Sequence, residues 1–216
     1  MILGNHTAGL LHHDPAIAIG ELARIGFRSV AIRPHATGFQ PAMPCFGQHV
    51  LRLAAAFEQS NVKCVLDLNS PFLPDPWSER GPSLVSPDSE TAQSALDWII
   101  AWMDVGSEIG ADLLTFSAGE MSSHSTERDE HLLERLASQL ERLVGEASQR
   151  SLRIALHPRR GDAVATVAQF ERLAQWLAED SRPMLAADVG EMLSGGELPL
   201  ADRLARNLDT LSCVYL

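Results

Sequence analysis

The feature that most limits how this chain can fold is a repeated junction. ELARIGFRSVAI, SEIGADLLTF and ASQRSLRIAL each read as the end of a helix, a short polar break and an apolar strand. Strand ends recur roughly every 30 to 50 residues, the spacing of βα units. The strands are continuous apolar runs, which marks a parallel sheet covered on both faces. Two closures meet that demand: an open doubly wound sheet, and a (β/α)8 barrel, which takes about 250 residues when complete. No GxGxxG follows the first strand and no P-loop is present, which lowers the dinucleotide and nucleotide readings.

Met1–Gly4 reads as a first strand. Asp14 caps a helix with Pro15 at its first position, and Gly26 ends it. FRSVAIRP is a buried strand ending near Arg33. A loop over 36–44 leads to a helix from about Gln48 to Gln59. VKCVLDL is the next strand, ending at Asn69. The segment 70–88 is long and proline-rich, as functional loops tend to be. Ser86-Pro87-Asp88 starts a helix that Gly110 stops, and DLLTF follows as a strand. Ser125 or Thr126 is expected to cap the next helix, and LRIAL follows it. Asp162 is expected to cap a helix that carries Val167, Phe170, Ala174 and Leu177. MLAAD, a short helix and LSCVYL complete the chain.

Charge and cysteines narrow the setting. The net charge is −11, so nucleic acid is not expected as a general partner, though the charge leaves room for a local basic pocket. Cys45, Cys64 and Cys213 fit no zinc motif and cannot all pair, which points to a reducing, cytoplasmic location. The most apolar helix is interrupted by Asp97 and Asp104, and no membrane-spanning segment is expected.

In either closure, ligands bind at the C-terminal ends of the strands. The polar residues there are Asn5, His6, Arg33, His35, Asn69, Ser117, Glu120, His157, Arg159, Asp188 and Glu191. Each has a plainer reading: His6, His12 and His13 as surface polar groups, Glu120 with His124 as a solvated loop, Asp67 as a buried structural carboxylate. His157 and Asp188 stand out. Both directly follow apolar strand residues, and neighbouring parallel strands lie about 4.8 Å apart. Imidazole and carboxylate together suit Zn²⁺, Mn²⁺ or Fe²⁺ better than Mg²⁺ or Ca²⁺. Arg159 and Arg160 beside them would repel a cation and attract a phosphate or carboxylate.

Four runs, in order, resemble the xylose-isomerase-like TIM-barrel superfamily, and within it the sugar phosphate isomerase/epimerase branch. They are LDLNSPFLPDPWSERGPSLVSPD, IGADLLTFSAG, LRIALHPRRG with TVAQFERL, and LAADVGEMLSGGELPLADRLARNLDTLSCVYL. The resemblance implies a single (β/α)8-type barrel domain over residues 1–216. It implies a sugar or sugar-phosphate isomerase or epimerase using a divalent metal (Mn, Zn, Co or Fe).

By position in that pattern, Asp188 matches a metal-binding aspartate. His157 stands where the family has a glutamate that binds metal and moves protons. Glu191 stands where a histidine follows the aspartate. Arg159 and Arg160 replace a Glu-Pro pair, Ala165 stands where another glutamate is common, and Tyr215 replaces a seventh-strand histidine. The expected roles are therefore catalysis by His157 and Glu191, metal binding by Asp188 and His157, and substrate binding by His6, His35, Asn69, Glu120 and Arg159. The pattern's last βα unit is expected to be missing. That would leave a seam between the first and seventh strands for a second copy or a partner to cover. The alternative function is a catalytically degenerate barrel that binds a small anionic metabolite or a partner protein.

Overall fold

The computed structural model describes residues 2–35, 38–121 and 129–216. Its strands are β1 (Gly4–His6), β2 (Ser29–Ile32), β3 (Lys63–Asp67), β4 (Ala111–Phe116), β5 (Arg153–Leu156), β6 (Met184–Asp188) and β7 (Leu211–Tyr215). They form one parallel sheet in sequence order, β1 to β7. Helices α1 (Pro15–Arg24), α2 (Phe46–Ser60), α3 (Ser89–Glu108), α4 (Asp129–Gln149), α5 (Val167–Leu173), α6 (Val189–Ser194) and α7 (Leu200–Arg206) lie in the connections. The sheet is curled into most of a TIM barrel. β1 and β7 are hydrogen-bonded on one side each, yet the rings of His6 and Tyr215 at their ends come within 5.7 Å.

Local chemistry explains most boundaries. Asp14 Oδ1 accepts from the N–H groups of Ala16 and Ile17, and Pro15 opens α1. Asp88 Oδ2 accepts from Thr91 N–H at the start of α3. On α3 the buried residues Ala92, Ala95, Leu96, Ile99, Trp102, Met103 and Gly106 keep helical spacing. Trp102 is clasped edge-on by Phe39 and Phe46.

Two expectations change. The first strand begins at Gly4 instead of Met1, so Asn5 and His6 belong to it. Asp162 does not cap a helix. Thr166 caps α5, and Gln169 returns its side chain to the Thr166 N–H in a capping box. The Ser125 or Thr126 cap and His124 lie outside the described residues.

Strand alternation sorts the core into two parts. Outward residues such as Leu66, Leu114, Phe116, Ile154, Leu156, Leu185 and Ala187 pack against the helices. Inward residues Val65, Leu113, Ala155, Ala186 and Cys213 form a smaller cluster inside the barrel. Two residues on from each of these, on the same inner face, stand Asp67, Thr115, His157, Asp188 and Tyr215. The period of two thus delivers a polar layer to the C-terminal mouth. Among the described residues, no helix is long and apolar enough to cross a membrane.

Candidate active site

Asp67 organises the mouth. Its side chain is 0% exposed, and burial alone would raise its pKa. The hydrogen bond from His6 and the positive charge of Arg33 instead hold it well below the usual carboxylate range. Its Oδ2 accepts from His6 Nε2 at 2.9 Å and from Arg33 Nε and Nη2 at 2.9 and 2.7 Å. Its Oδ1 accepts from Asn69 Nδ2 at 2.6 Å, the Thr115 hydroxyl at 2.9 Å and Asn69 N–H at 3.3 Å.

This hub fixes protons elsewhere. Asn69 must aim its amide nitrogen at the ionised Asp67, because its oxygen there would meet like charge. The same Nδ2 lies 3.1 Å from His157 Nδ1, which therefore accepts. Neutral His157 consequently carries its hydrogen on Nε2. His6 is set the same way: its Nδ1 accepts from Ala8 N–H, so Nε2 donates to Asp67. Thr115 gives its hydrogen to Asp67, so the Tyr215 hydroxyl donates to Thr115 Oγ1 at 3.0 Å.

His157 is 5% exposed, and burial lowers its pKa against the opposing pull of Asp67 and Asp188. The imidazole is neutral at pH 7. Its Nε2 has no hydrogen-bond partner among the described residues. The nearest carboxylate oxygen is Asp188 Oδ2, 3.9 Å away. That gap is too long for a direct hydrogen bond. An oxygen placed between them would accept from Nε2 and, as a hydroxyl, donate to Oδ2.

Asp188 uses its other oxygen to cap α6, accepting from Glu191 N–H at 2.9 Å. Glu191 turns away and accepts from the Arg160 backbone N–H at 3.0 Å. Tyr215 stacks on His157, with ring centroids 5.2 Å apart. The mouth therefore unites His6, Asn69, His157 and Asp188 among the sequence candidates. Arg159 lies half-buried beside them, and its charge acts on His157.

Two candidates lie apart. His35 is half-buried among Thr7, Leu10, Ile32 and Phe39, with its ring against Gly38. Glu120 is exposed and forms a backbone bridge with Asp162. The sequence reading missed Thr115 as a member of the mouth and gave Tyr215 only the place of a seventh-strand histidine in the family pattern. Their signal was their position, two residues beyond the inward residues Leu113 and Cys213.

The expected divalent metal would have to be held by these donors. Protein sites supply three or four ligands. Among the described residues no three His, Cys, Asp or Glu side chains are grouped to hold an ion. His157 and Asp188 come nearest, but Nε2 carries a hydrogen where a cation would need its lone pair. Among the described residues the side chains as arranged do not fit a resident divalent metal.

A parallel barrel with its polar layer at the C-terminal ends of the strands has the architecture of a TIM barrel. The chain belongs to the xylose isomerase-like TIM barrel family, whose model matches residues 19–215. No curated protein matches it in sequence. Similar solved structures include 3-keto-D-glucoside 4-epimerase from E. coli (15% identity, TM-score 0.74, 99% of this chain and 78% of that one). D-psicose 3-epimerase from Clostridium cellulolyticum H10 is similar too (13%, 0.77, 99% and 72%). So is a sugar phosphate isomerase/epimerase-type protein from Anabaena variabilis (15%, 0.69, 99% and 73%). At these identities the likeness establishes the fold.

Proposed function

We propose that the protein is an isomerase or epimerase of a small sugar or sugar phosphate, and that its reacting pair is His157 and Asp188. The supporting observation is the buried Nε2–H of His157, without a partner among the described residues and facing Asp188 Oδ2 at 3.9 Å. In this reading the substrate carbonyl oxygen accepts from Nε2–H. Asp188 Oδ2 takes the proton from the adjacent carbon, and the electron pair moves to the oxygen held by His157. Return of the proton from Asp188 to the former carbonyl carbon, as the hydroxyl proton of the adjacent carbon passes to the oxygen held by His157, gives the isomer; protonation of the adjacent carbon on its other face by water, with Asp188 giving its proton to solvent, gives the epimer. A neutral imidazole suits this role, because it polarises the oxygen without giving up its proton.

The family, and neighbours that are themselves sugar epimerases, support the reaction class. Among the described residues no donor set matches the divalent metal that the family resemblance implies, and in this reading the reaction runs on His157 and Asp188. Glu191 acts by positioning: its N–H holds Asp188 Oδ1, and its carboxylate ties that turn to the loop after β5.

The test is proton exchange in D2O with pentoses, hexoses, their keto forms and their phosphates, read by ¹H NMR. Deuterium entering next to the carbonyl, unchanged by a chelator, is expected. Exchange abolished by chelation overturns the assignment of the electrophile to His157. Binding without exchange across the panel favours the catalytically silent barrel.

The unpaired edges of β1 and β7 belong to the same proposal. A second copy or a partner covers them in solution, and light scattering that finds a stable monomer of 23.5 kDa removes the self-association arm.

A further inference from the structure

The loops that follow β3, β4 and β5 are joined to one another by backbone hydrogen bonds. Leu84 N–H donates to Ala118 O at 3.1 Å, Ala163 N–H to Gly119 O at 3.0 Å, and Met121 N–H to Gly161 O at 3.3 Å. Gly119 (φ +88°) and Gly161 (φ +92°) occupy left-handed backbone. A Cβ at Gly119 would lie 2.6 Å from Ser83 Cα, and one at Gly161 would lie 2.9 Å from Arg80 Nη1. The segment 70–88 is thus laid down on the two neighbouring loops and roofs a cleft beside the mouth.

The cleft wall carries Asn69, Ser70, Arg80, Ser117 and Arg159, over an apolar floor that includes Trp98 and Phe116. Its two cations are not equivalent. Arg80 is ion-paired with the buried carboxylate of Asp162. Arg159 is half-buried and has no carboxylate within ion-pair distance among the described residues. Arg80, Arg159 and an ionised Asp162 therefore leave one positive charge uncompensated, in a chain whose net charge is −11. Next to them Asn69, 6% exposed, keeps its Oδ1 buried and without a partner among the described residues, an acceptor for a ligand hydroxyl beside the cations. Asn69 also touches His157, so cleft and mouth share a wall.

We propose that this cleft is an oxyanion subsite, in which Arg159, backed by Arg80, receives a phosphate or carboxylate group of the ligand whose carbonyl end lies at His157 and Asp188. The inference rests on the reading of the mouth as a carbohydrate site, and it narrows that ligand to an anionic one. Guanidinium forks match both groups, and the apolar floor strengthens the attraction.

The test compares D-fructose, D-fructose 6-phosphate, D-gluconate and inorganic phosphate by calorimetry. Amide shifts at 117–119 and 159–162 serve as the local readout. The anionic sugars are expected to bind about tenfold or more tighter than fructose, with affinity falling as salt rises. Preference for fructose 6-phosphate over gluconate assigns phosphate, and the reverse assigns carboxylate. Arg159→Gln is expected to bring the affinity for the anionic sugars down to about that for fructose, and Arg159→Lys to keep part of the anion preference. Equal binding of all the sugars, no binding of any anion, or an anion preference that survives in Arg159→Gln overturns the proposal. Turnover is not read here. A barrel that exchanges no protons yet keeps the Arg159-dependent preference would sink the catalytic reading and leave the subsite standing.

Discussion

The ring of Tyr215 lies stacked on the ring of His157, with centroids 5.2 Å apart and planes inclined by 19°. The same tyrosine meets His6 edge-on and donates its hydroxyl proton to Thr115. One side chain from the last strand thereby touches residues of the first, fourth and fifth. It is the only tyrosine in the chain, so its phenol reports on the mouth without interference. Burial, then the charge of Asp67, pushes its pKa well above the ordinary value. Absorbance at 295 nm is expected to stay flat through pH 10 in the folded protein and to rise at ordinary pH in denaturant. Tyr215→Phe keeps the stack and loses the hydrogen bond, at a cost of about 1 kcal/mol in urea unfolding. Tyr215→Ala is expected to cost about 3 kcal/mol.

Asp67 accepts six hydrogen bonds and is 0% exposed. Asp67→Asn leaves the Arg33 charge without its partner. The expected loss is about 3–5 kcal/mol, the range for breaking a buried ion pair from one side. Adding Arg33→Gln removes the stranded cation, so the double variant is expected to be more stable than Asp67→Asn alone. Urea melts of the single and double variants measure that coupling. The pH dependence follows from the lowered pKa. The stabilisation is full above the unfolded carboxylate value of about 3.9 and declines as pH falls below it, because the unfolded chain then binds the proton first.

The βα units were legible because their junctions are written in neighbouring residues: a helix end, a polar break and an apolar run; the closure into a barrel came from the family resemblance. Asp67 was legible as a buried carboxylate from its place inside VKCVLDL. Its partners were not, since Arg33 lies 34 residues away and His6 lies 61 residues away. Asp162 was misread for a local reason. An aspartate before an apolar stripe resembles a helix cap, but the capping box of Thr166 and Gln169 stands four residues later. That freed Asp162 to pair with Arg80 from the long 70–88 loop, a contact with no local trace. The expected metal role of His157 turned on which ring nitrogen carries the hydrogen. Only the orientation of Asn69, set by Asp67, settles that.

The tautomer assignment can be checked directly. Long-range ¹⁵N–¹H NMR is expected to show His157 and His6 as Nε2–H imidazoles at pH 7. A hydrogen on His157 Nδ1 would contradict the Asn69 orientation and return Nε2 to the metal ligands.

His157 also links stability to pH in its own window. Burial keeps its folded pKa below the unfolded value of about 6.5. Its contribution is full above pH 6.5 and is lost as pH falls from there towards the folded value, since the unfolded imidazole takes up the proton first. Unfolding midpoints between pH 5 and 7 should slope upward with pH in the wild type. The slope should flatten in His157→Gln, where a neutral amide replaces the titrating ring.

Asp188 and Glu191 separate the proposed base from its support. Asp188→Asn retains an oxygen able to cap α6, so stability should change by about 0.5 kcal/mol or less. It removes the carboxylate that takes the proton, and exchange into D2O is expected to fall by about 10²–10⁴-fold. Glu191→Gln keeps the backbone N–H that holds Asp188 Oδ1 and an oxygen for Arg160 N–H. Its exchange rate is expected to stay within about threefold of wild type, since neutral acceptors weaken such contacts only modestly. A collapse of exchange in Glu191→Gln with full activity in Asp188→Asn would transfer the base to Glu191. It would also show that the turn after β6 rearranges when substrate binds.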